Sequence, residues 1–110
     1  MAVTDINLGS GQISDTTLNT IYTVTSTVAR GASLYSLVLT NTTANIITVD
    51  IYLNDGTDRL FKTVKIPAGS GNALNVKGIP GVTLSQNQIV KLQASSSDAF
   101  NYKLNGSQRT

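Results

Sequence analysis

The stretch from Leu37 to Leu53 constrains the fold most strongly, because it contains two runs of β-type residues separated by a polar break. In the second run, aliphatic side chains alternate with more polar ones: Ile47, Val49, Ile51 and Leu53 against Thr48, Asp50 and Tyr52. A period of two is typical of a strand with one buried face. The break at residues 41–45, Asn-Thr-Thr-Ala-Asn, suits a turn. The sequence therefore predicts an antiparallel hairpin over this stretch.

Further alternating segments lie on both sides of this stretch, separated by turn-forming residues. Their predicted inward side chains include Tyr22, Tyr35, Leu37, Leu39, Leu60, Val64, Ile66, Val90, Leu92, Phe100 and Tyr102. Thr, Ser and Asn are abundant and Glu is absent, a composition that favours strands and turns over helices. We predict an all-β chain: a single antiparallel β-sandwich, jelly-roll or Ig-like, with seven to eight short strands.

The length of 110 residues predicts one domain over 1–110. Within it we expect a short lead-in at 1–15, with a flexible joint at residues 9–11, and a polar tail at 105–110 that frays. The chain has no cysteine, so stability must come from packing and backbone hydrogen bonds. We find no secretory leader at Met1 and no apolar run of the roughly eighteen residues that a membrane span needs, so we expect a soluble chain without a membrane partner.

The charges separate along the sequence. Residues 1–58 hold one Arg and five Asp, whereas residues 59–110 hold seven Lys and Arg and one Asp. Such polarity favours docking of identical subunits, or of a subunit on a lattice, in a fixed sense. It fits solvated charges on outer faces equally well.

The available side chains argue against an enzyme. With neither His nor Cys, the usual general base, thiolate nucleophile and imidazole ligand are missing. Residues 54–58, Asn-Asp-Gly-Thr-Asp, resemble part of a calcium loop, but such a loop closes with a bidentate Glu and the chain has none. We therefore interpret them as a turn and predict no catalytic residue, no metal and no cofactor. The outward lysines lack interleaved aromatic residues apart from Phe61, so we predict no nucleic-acid partner.

Several motifs between residues 21 and 94 together resemble small structural proteins of tailed-bacteriophage virions. The motifs are IYTV, LVLTNTTANIITVDIYL, VKIPAGSGNALNV and VKLQAS. The resemblance implies a capsid decoration protein or a neck or tail accessory. It also implies structural roles for Asn41 and Thr42 at the hairpin turn and for Pro67 and Gly69 at a corner.

We therefore expect a non-enzymatic virion protein, assembled in the host cytoplasm, that stabilises the particle by subunit contacts as a capsid decoration or cement protein. The alternatives are a neck, tail or fibre accessory and a glycan-binding β-sandwich module for host attachment. The expected partners are other virion proteins, namely the major capsid protein or neck and tail components, and further copies in a homo-oligomer.

The candidate interaction residues lie at the tip of the predicted hairpin and on its outward face: Asn41, Thr42, Thr43, Asn45 and Tyr52. Tyr52 also carries the glycan alternative, because the chain has no Trp and the other tyrosines are expected in the core or at a sheet edge. An outward Tyr that covers the sheet or a neighbouring chain is the favoured interpretation, because exposed aromatic residues are common at protein contacts.

Overall fold

A computed structural model describes residues 3–69 and 72–109, and within these ranges the chain is all-β. Its nine strands are β1 Val3–Ile13, β2 Asn19–Thr23, β3 Ala32–Asn41, β4 Ile47–Asn54, β5 Asp58–Ile66, β6 Asn72–Asn75, β7 Thr83–Leu84, β8 Ile89–Ala94 and β9 Phe100–Arg109. They form two antiparallel sheets that pack as a sandwich, which confirms the predicted fold class. The strand number exceeds the expected seven to eight. No helix in these ranges is long and apolar enough to cross a membrane.

The first sheet has the order β1-β9-β3-β6, and β7 also pairs with β3. The second sheet has the order β2-β8-β4-β5. β9 therefore lies between β1 and β3, and β4 lies between β8 and β5. The edges of the second sheet are β2 and β5.

The core fills the space between the inner faces of the two sheets. From β3 and β4 it takes Leu34, Leu37, Leu39, Ile47, Val49 and Ile51, all with no exposed surface. Leu53 is partly buried and packs against this core. The predicted inward face of β4 is thus confirmed. β8 follows the same rule, because Val90, Leu92 and Ala94 are buried.

The predicted hairpin over 37–53 is wrong, because β3 and β4 lie in opposite sheets. β3 pairs with β9, β6 and β7, whereas β4 pairs with β5 and β8. Residues 42–46 cross from one sheet to the other, and both runs bury their aliphatic side chains in the same core from opposite sides. Alternation identifies which face of a strand is buried, but it carries no information on the pairing partner.

The two terminal segments are strands. The flexible joint expected at residues 9–11 and the fraying expected at 105–110 are therefore wrong for the described residues, whereas the lead-in is strand. β1 runs through Gly9 and Gly11, with a register shift between Asn7 and Gly9. β9 continues to Arg109 and is hydrogen-bonded on both sides. Gly106 suits this central place, because a Cβ there would lie 2.2 Å from the carbonyl oxygen of Ser33 on β3. Backbone pairing, rather than apolar side chains, orders this polar segment.

Two predicted inward residues point outward. Tyr35 is 47% exposed and Leu60 is 56% exposed. Tyr35 lies where the β3–β9 register shifts between Leu34 and Ser36, and Leu60 lies beside a shift in the β4–β5 register that skips Phe61. One extra residue in a strand reverses the alternation beyond it, which explains both errors.

Candidate interaction surface

Asn41 ends β3, and its side chain holds the crossover 42–46 in place. Its Oδ1 accepts hydrogen bonds from the Thr43 backbone N–H at 2.8 Å and from Thr43 Oγ1 at 2.7 Å. Its Nδ2 donates to the carbonyl oxygens of Asn45 at 2.6 Å and Ile66 at 3.4 Å. Asn side chains often satisfy backbone groups in this way where regular pairing stops. Because Asn41 is 0% exposed, its side chain has no surface to offer a partner, and its predicted contact role is corrected to a structural one.

The other predicted residues of the crossover differ in exposure. Thr42 and Asn45 are exposed, whereas Thr43 is half-buried. The Thr43 carbonyl oxygen accepts a hydrogen bond from the Gly69 backbone N–H at 2.8 Å, which ties the crossover to the corner after β5. Asn45 Nδ2 donates to Asp98 Oδ2 at 3.4 Å. The contact role of Thr42, Thr43 and Asn45 stays a prediction.

Ile46, at the end of the crossover, is 62% exposed and was missed in the sequence. The sequence does contain a signal for its exposure. Two consecutive isoleucines, Ile46 and Ile47, stand at the start of an alternating strand, and only one of them can face the core. Burial of Ile47 and Val49 places Ile46 outside. The loop of residues 95–99 lies alongside, since the Ser95 backbone N–H donates to the Thr48 carbonyl oxygen at 2.9 Å. We call the crossover 42–46 and the loop 95–99 together the Ile46 end.

Tyr52 lies on the outward face of β4, as predicted, and is half-buried. Its register neighbours are Leu60 on β5 and Lys91 on β8. It is therefore part of a continuous sheet surface. Its role in binding a partner or a glycan stays a prediction.

β5 is the open edge of the second sheet: it pairs with β4, and its other side pairs with no strand of the described ranges. An open edge presents unpaired backbone N–H and C=O groups to any approaching chain. Leu60 and Phe61, exposed by 56% and 37%, lie on this edge. Lys62 follows them, and its Nζ donates to the Lys77 carbonyl oxygen at 3.0 Å. The edge thus combines unpaired backbone, apolar side chains and positive charge.

An apolar cleft of about 280 Å³ opens where β5 approaches the segment that contains β7. It is lined by Leu53, Asn54, Asp55, Arg59, Leu60, Phe61, Thr83, Leu84 and Gln88. Both sheets contribute, since Leu60 and Phe61 belong to β5 and Leu84 belongs to β7. β7 has only two residues, so the first sheet is short at this corner.

Charged pairs fix the turn beside the cleft. Arg59 Nε lies 3.1 Å from Asp55 Oδ1, and Lys91 Nζ lies 2.9 Å from Asp58 Oδ1. The hydrogen bond from Arg59 lowers the pKa of Asp55, and hydrogen bonds from Asn54 and then Lys91 lower the pKa of Asp58. Both carboxylates are thus engaged by donors of the chain itself. Across residues 3–69 and 72–109, no three or more His, Cys, Asp or Glu side chains cluster as metal ligands would.

No family model and no curated protein sequence matches this chain. Among solved structures it is similar to a protein of the Bacillus endospore appendages, a family of disulfide-linked pili. That alignment has a TM-score of 0.57 and 10% identity, and it covers 98% of this chain and 87% of the other. Structures of the Gx and Gt strains of infectious bursal disease virus align with TM-scores of 0.35 and 0.37 and identities of 16% and 14%. These alignments cover 96% of this chain, but only 30% and 32% of the viral chains. At 10% identity the appendage protein shows the fold alone, and the viral alignments are too weak to support an argument.

Proposed function

We propose that this chain is a non-enzymatic structural subunit of a bacteriophage virion and acts as a capsid decoration protein. The proposal rests on one observation: β5 is an open edge of its sheet and carries the exposed side chains of Leu60 and Phe61. Unpaired backbone groups and apolar side chains on one edge suit a contact between protein chains. The bacteriophage assignment rests on the sequence resemblance over residues 21–94.

Two further observations support a structural role. The chain contains neither His nor Cys, so the commonest catalytic nucleophiles and bases are unavailable to it. The endospore appendage protein whose sandwich this chain resembles belongs to a family of pili. From that protein we extend to this chain only the general role of a subunit in a larger assembly. The proposed partners are the major capsid protein, which the sequence resemblance implies, and further copies of the chain itself.

The mechanism is stabilisation by mass action. A protein that binds the assembled shell, and not its dissociated subunits, shifts the equilibrium toward the shell. A stable contact typically buries about 1,200–2,000 Å² in total. Leu60 and Phe61 of β5 would form the centre of such a contact, and Arg59 and Lys62 of the same strand would lie at its rim.

Heating shells with and without the bound protein tests this function. We expect shells that carry the wild-type protein to disrupt at a higher temperature. Leu60→Asp should bind less and restore less of this protection, because it places a charge in the apolar contact. Thr20→Asp, an exposed change on the edge strand β2, is the matched control and should protect like the wild type.

Two results would contradict the proposal. Equal disruption temperatures with and without the protein would exclude reinforcement of the shell. Absence of the chain from purified particles, measured by quantitative mass spectrometry, would exclude the virion role.

A further inference from the structure

The large exposed apolar side chains of the described residues include two groups at opposite ends of the second sheet. Leu60 and Phe61 line the apolar cleft, and Ile46 projects from the crossover at the other end. We propose that copies of this chain associate head to tail, with Ile46 of one copy inserted into the apolar cleft of the next. This inference rests on the proposed structural role and names the contact between copies.

The strand β4 separates the two features. Ile46 directly precedes β4, and Leu53 and Asn54 at its far end line the cleft. Eight strand residues at about 3.3 Å each span roughly 25 Å. One molecule therefore cannot bring its own Ile46 to its own cleft, but a second copy can. A contact between two different patches is heterologous, and it produces rings or filaments rather than a closed dimer.

The cleft is large enough for this occupant. A buried apolar cavity of about 150 Å³ holds a benzene molecule. The cleft of about 280 Å³ therefore accommodates an isoleucine side chain and part of a neighbouring residue. Leu53, Leu60 and Leu84 in its lining can pack against an aliphatic side chain.

The charges of the two ends are complementary. The Ile46 end holds a single charged residue, Asp98, which lies 3.4 Å from Asn45 Nδ2. In the cleft lining the charge of Arg59 is paired with Asp55, so the positive charge on the β5 side comes from Lys62 and from Lys77, which lies against Lys62. Head-to-tail contact brings the negative end to the positive side, whereas contact between two like ends brings like charges together. The charge pattern thus favours the heterologous arrangement over a symmetric dimer.

Sedimentation velocity of the full chain over a wide concentration range tests this inference. The wild type should form oligomers whose size grows with concentration. Ile46→Asp and Leu60→Asp should each weaken association on the order of a hundredfold, because each puts a charge into the apolar contact. Tyr35→Asp changes an exposed aromatic residue outside both features and should associate like the wild type.

Mixing the two variants distinguishes a heterologous contact from a symmetric one. Ile46→Asp retains an intact cleft, and Leu60→Asp retains an intact Ile46. An equimolar mixture should therefore form a dimer that grows no further. Circular dichroism and thermal unfolding check that each variant is folded, and Leu60→Ser replaces Leu60→Asp if the latter does not fold.

Several results would overturn the inference. A wild type that stays monomeric at all concentrations excludes it, as do two variants that associate like the wild type. Loss of association in Leu60→Asp alone would show that the cleft accepts something other than Ile46. Variants that are monomeric both alone and in the mixture would exclude the complementary pairing. These results bear on the contact between copies and leave binding to the shell standing, since that role fails only if the protein is absent from particles or does not protect them.

Discussion

β9 and β5 have nearly the same length but opposite places in their sheets. β9, with ten residues, lies between β1 and β3, whereas β5, with nine, is an open edge. β9 ends in the polar sequence Asn-Gly-Ser-Gln-Arg over residues 105–109, and β5 carries Leu60 and Phe61 in exposed positions. The polar end of β9 thus lies inside its sheet, whereas the exposed apolar side chains of β5 lie at an edge. Backbone pairing on both sides holds β9, whereas β5 pairs with β4 alone among the described strands and has its apolar side chains available for contact with another chain.

Cutting the chain after Asn105 is the strongest way to break this comparison. The cut removes the last four of the ten residues of β9, with their pairing to β1 and β3, and it also removes the hydrogen bonds that join Arg109 to the backbones of Arg30 and Gly31. We expect loss of cooperative unfolding at 25 °C, measured by circular dichroism during urea titration. A truncated chain that unfolds within a few degrees of the full chain in a thermal scan would show that this segment is dispensable.

Two leucine substitutions compare the strands with the same chemical change. Leu104 on β9 is 0% exposed, and Leu60 on β5 is 56% exposed. Leu104→Ala should lower the free energy of unfolding by about 3 kcal/mol, because it leaves a cavity between the sheets. Leu60→Ala should lower it by less than about 0.5 kcal/mol, because its side chain is largely solvated already. Urea unfolding of the monomer measures both, and a cost above about 1.5 kcal/mol for Leu60→Ala would mean that β5 supports the core.

The residues of β4 show why the strand faces were predictable from sequence. Burial of Ile47, Val49 and Ile51 leaves a local pattern with a period of two. The turn at residues 54–58 was equally local, and it joins β4 to β5 with Gly56 at a φ of +110°. Pairing is not local, so the sequence could not show that β3 and β4 belong to different sheets. The same limit hides the central place of β9, whose polar residues look like a tail.

The candidate surface was predictable only in part. Exposure and turn chemistry pointed to the crossover and to Tyr52, but Asn41 proved to be buried. The apolar cleft was missed because its walls come from residues 53–61 and 83–88, which lie apart in the sequence and belong to different sheets. Leu60 was assigned inward because the register shift at Phe61 reverses the alternation. Local patterns therefore predict which side chains of a strand are buried. They do not predict a cleft whose walls come from two sheets.

The acidic turn before β5 should have the smallest effect on stability. The direction in which this effect changes with pH follows from the pKa shifts of Asp55 and Asp58. Donors on the folded chain lower the pKa of Asp55 and Asp58 below the ordinary value of 3.8. Their stabilising contribution is therefore present above that pH and is lost as the pH falls through the lower folded-state values. Both carboxylates are exposed to solvent, so the contribution is small.

A pair of matched variants isolates this contribution. Asp55→Asn with Asp58→Asn should flatten part of the decline in melting temperature between about pH 4 and pH 2. Asp15→Asn is the comparison variant, because it leaves the turn beside β5 intact. It removes a carboxylate whose pKa is lowered by hydrogen bonds from Asn19 and Thr17. If the double variant instead lost most of its stability at neutral pH, the turn would be a structural support of β5. The contrast with β9 would then weaken, because the edge strand would be held as firmly as the central one.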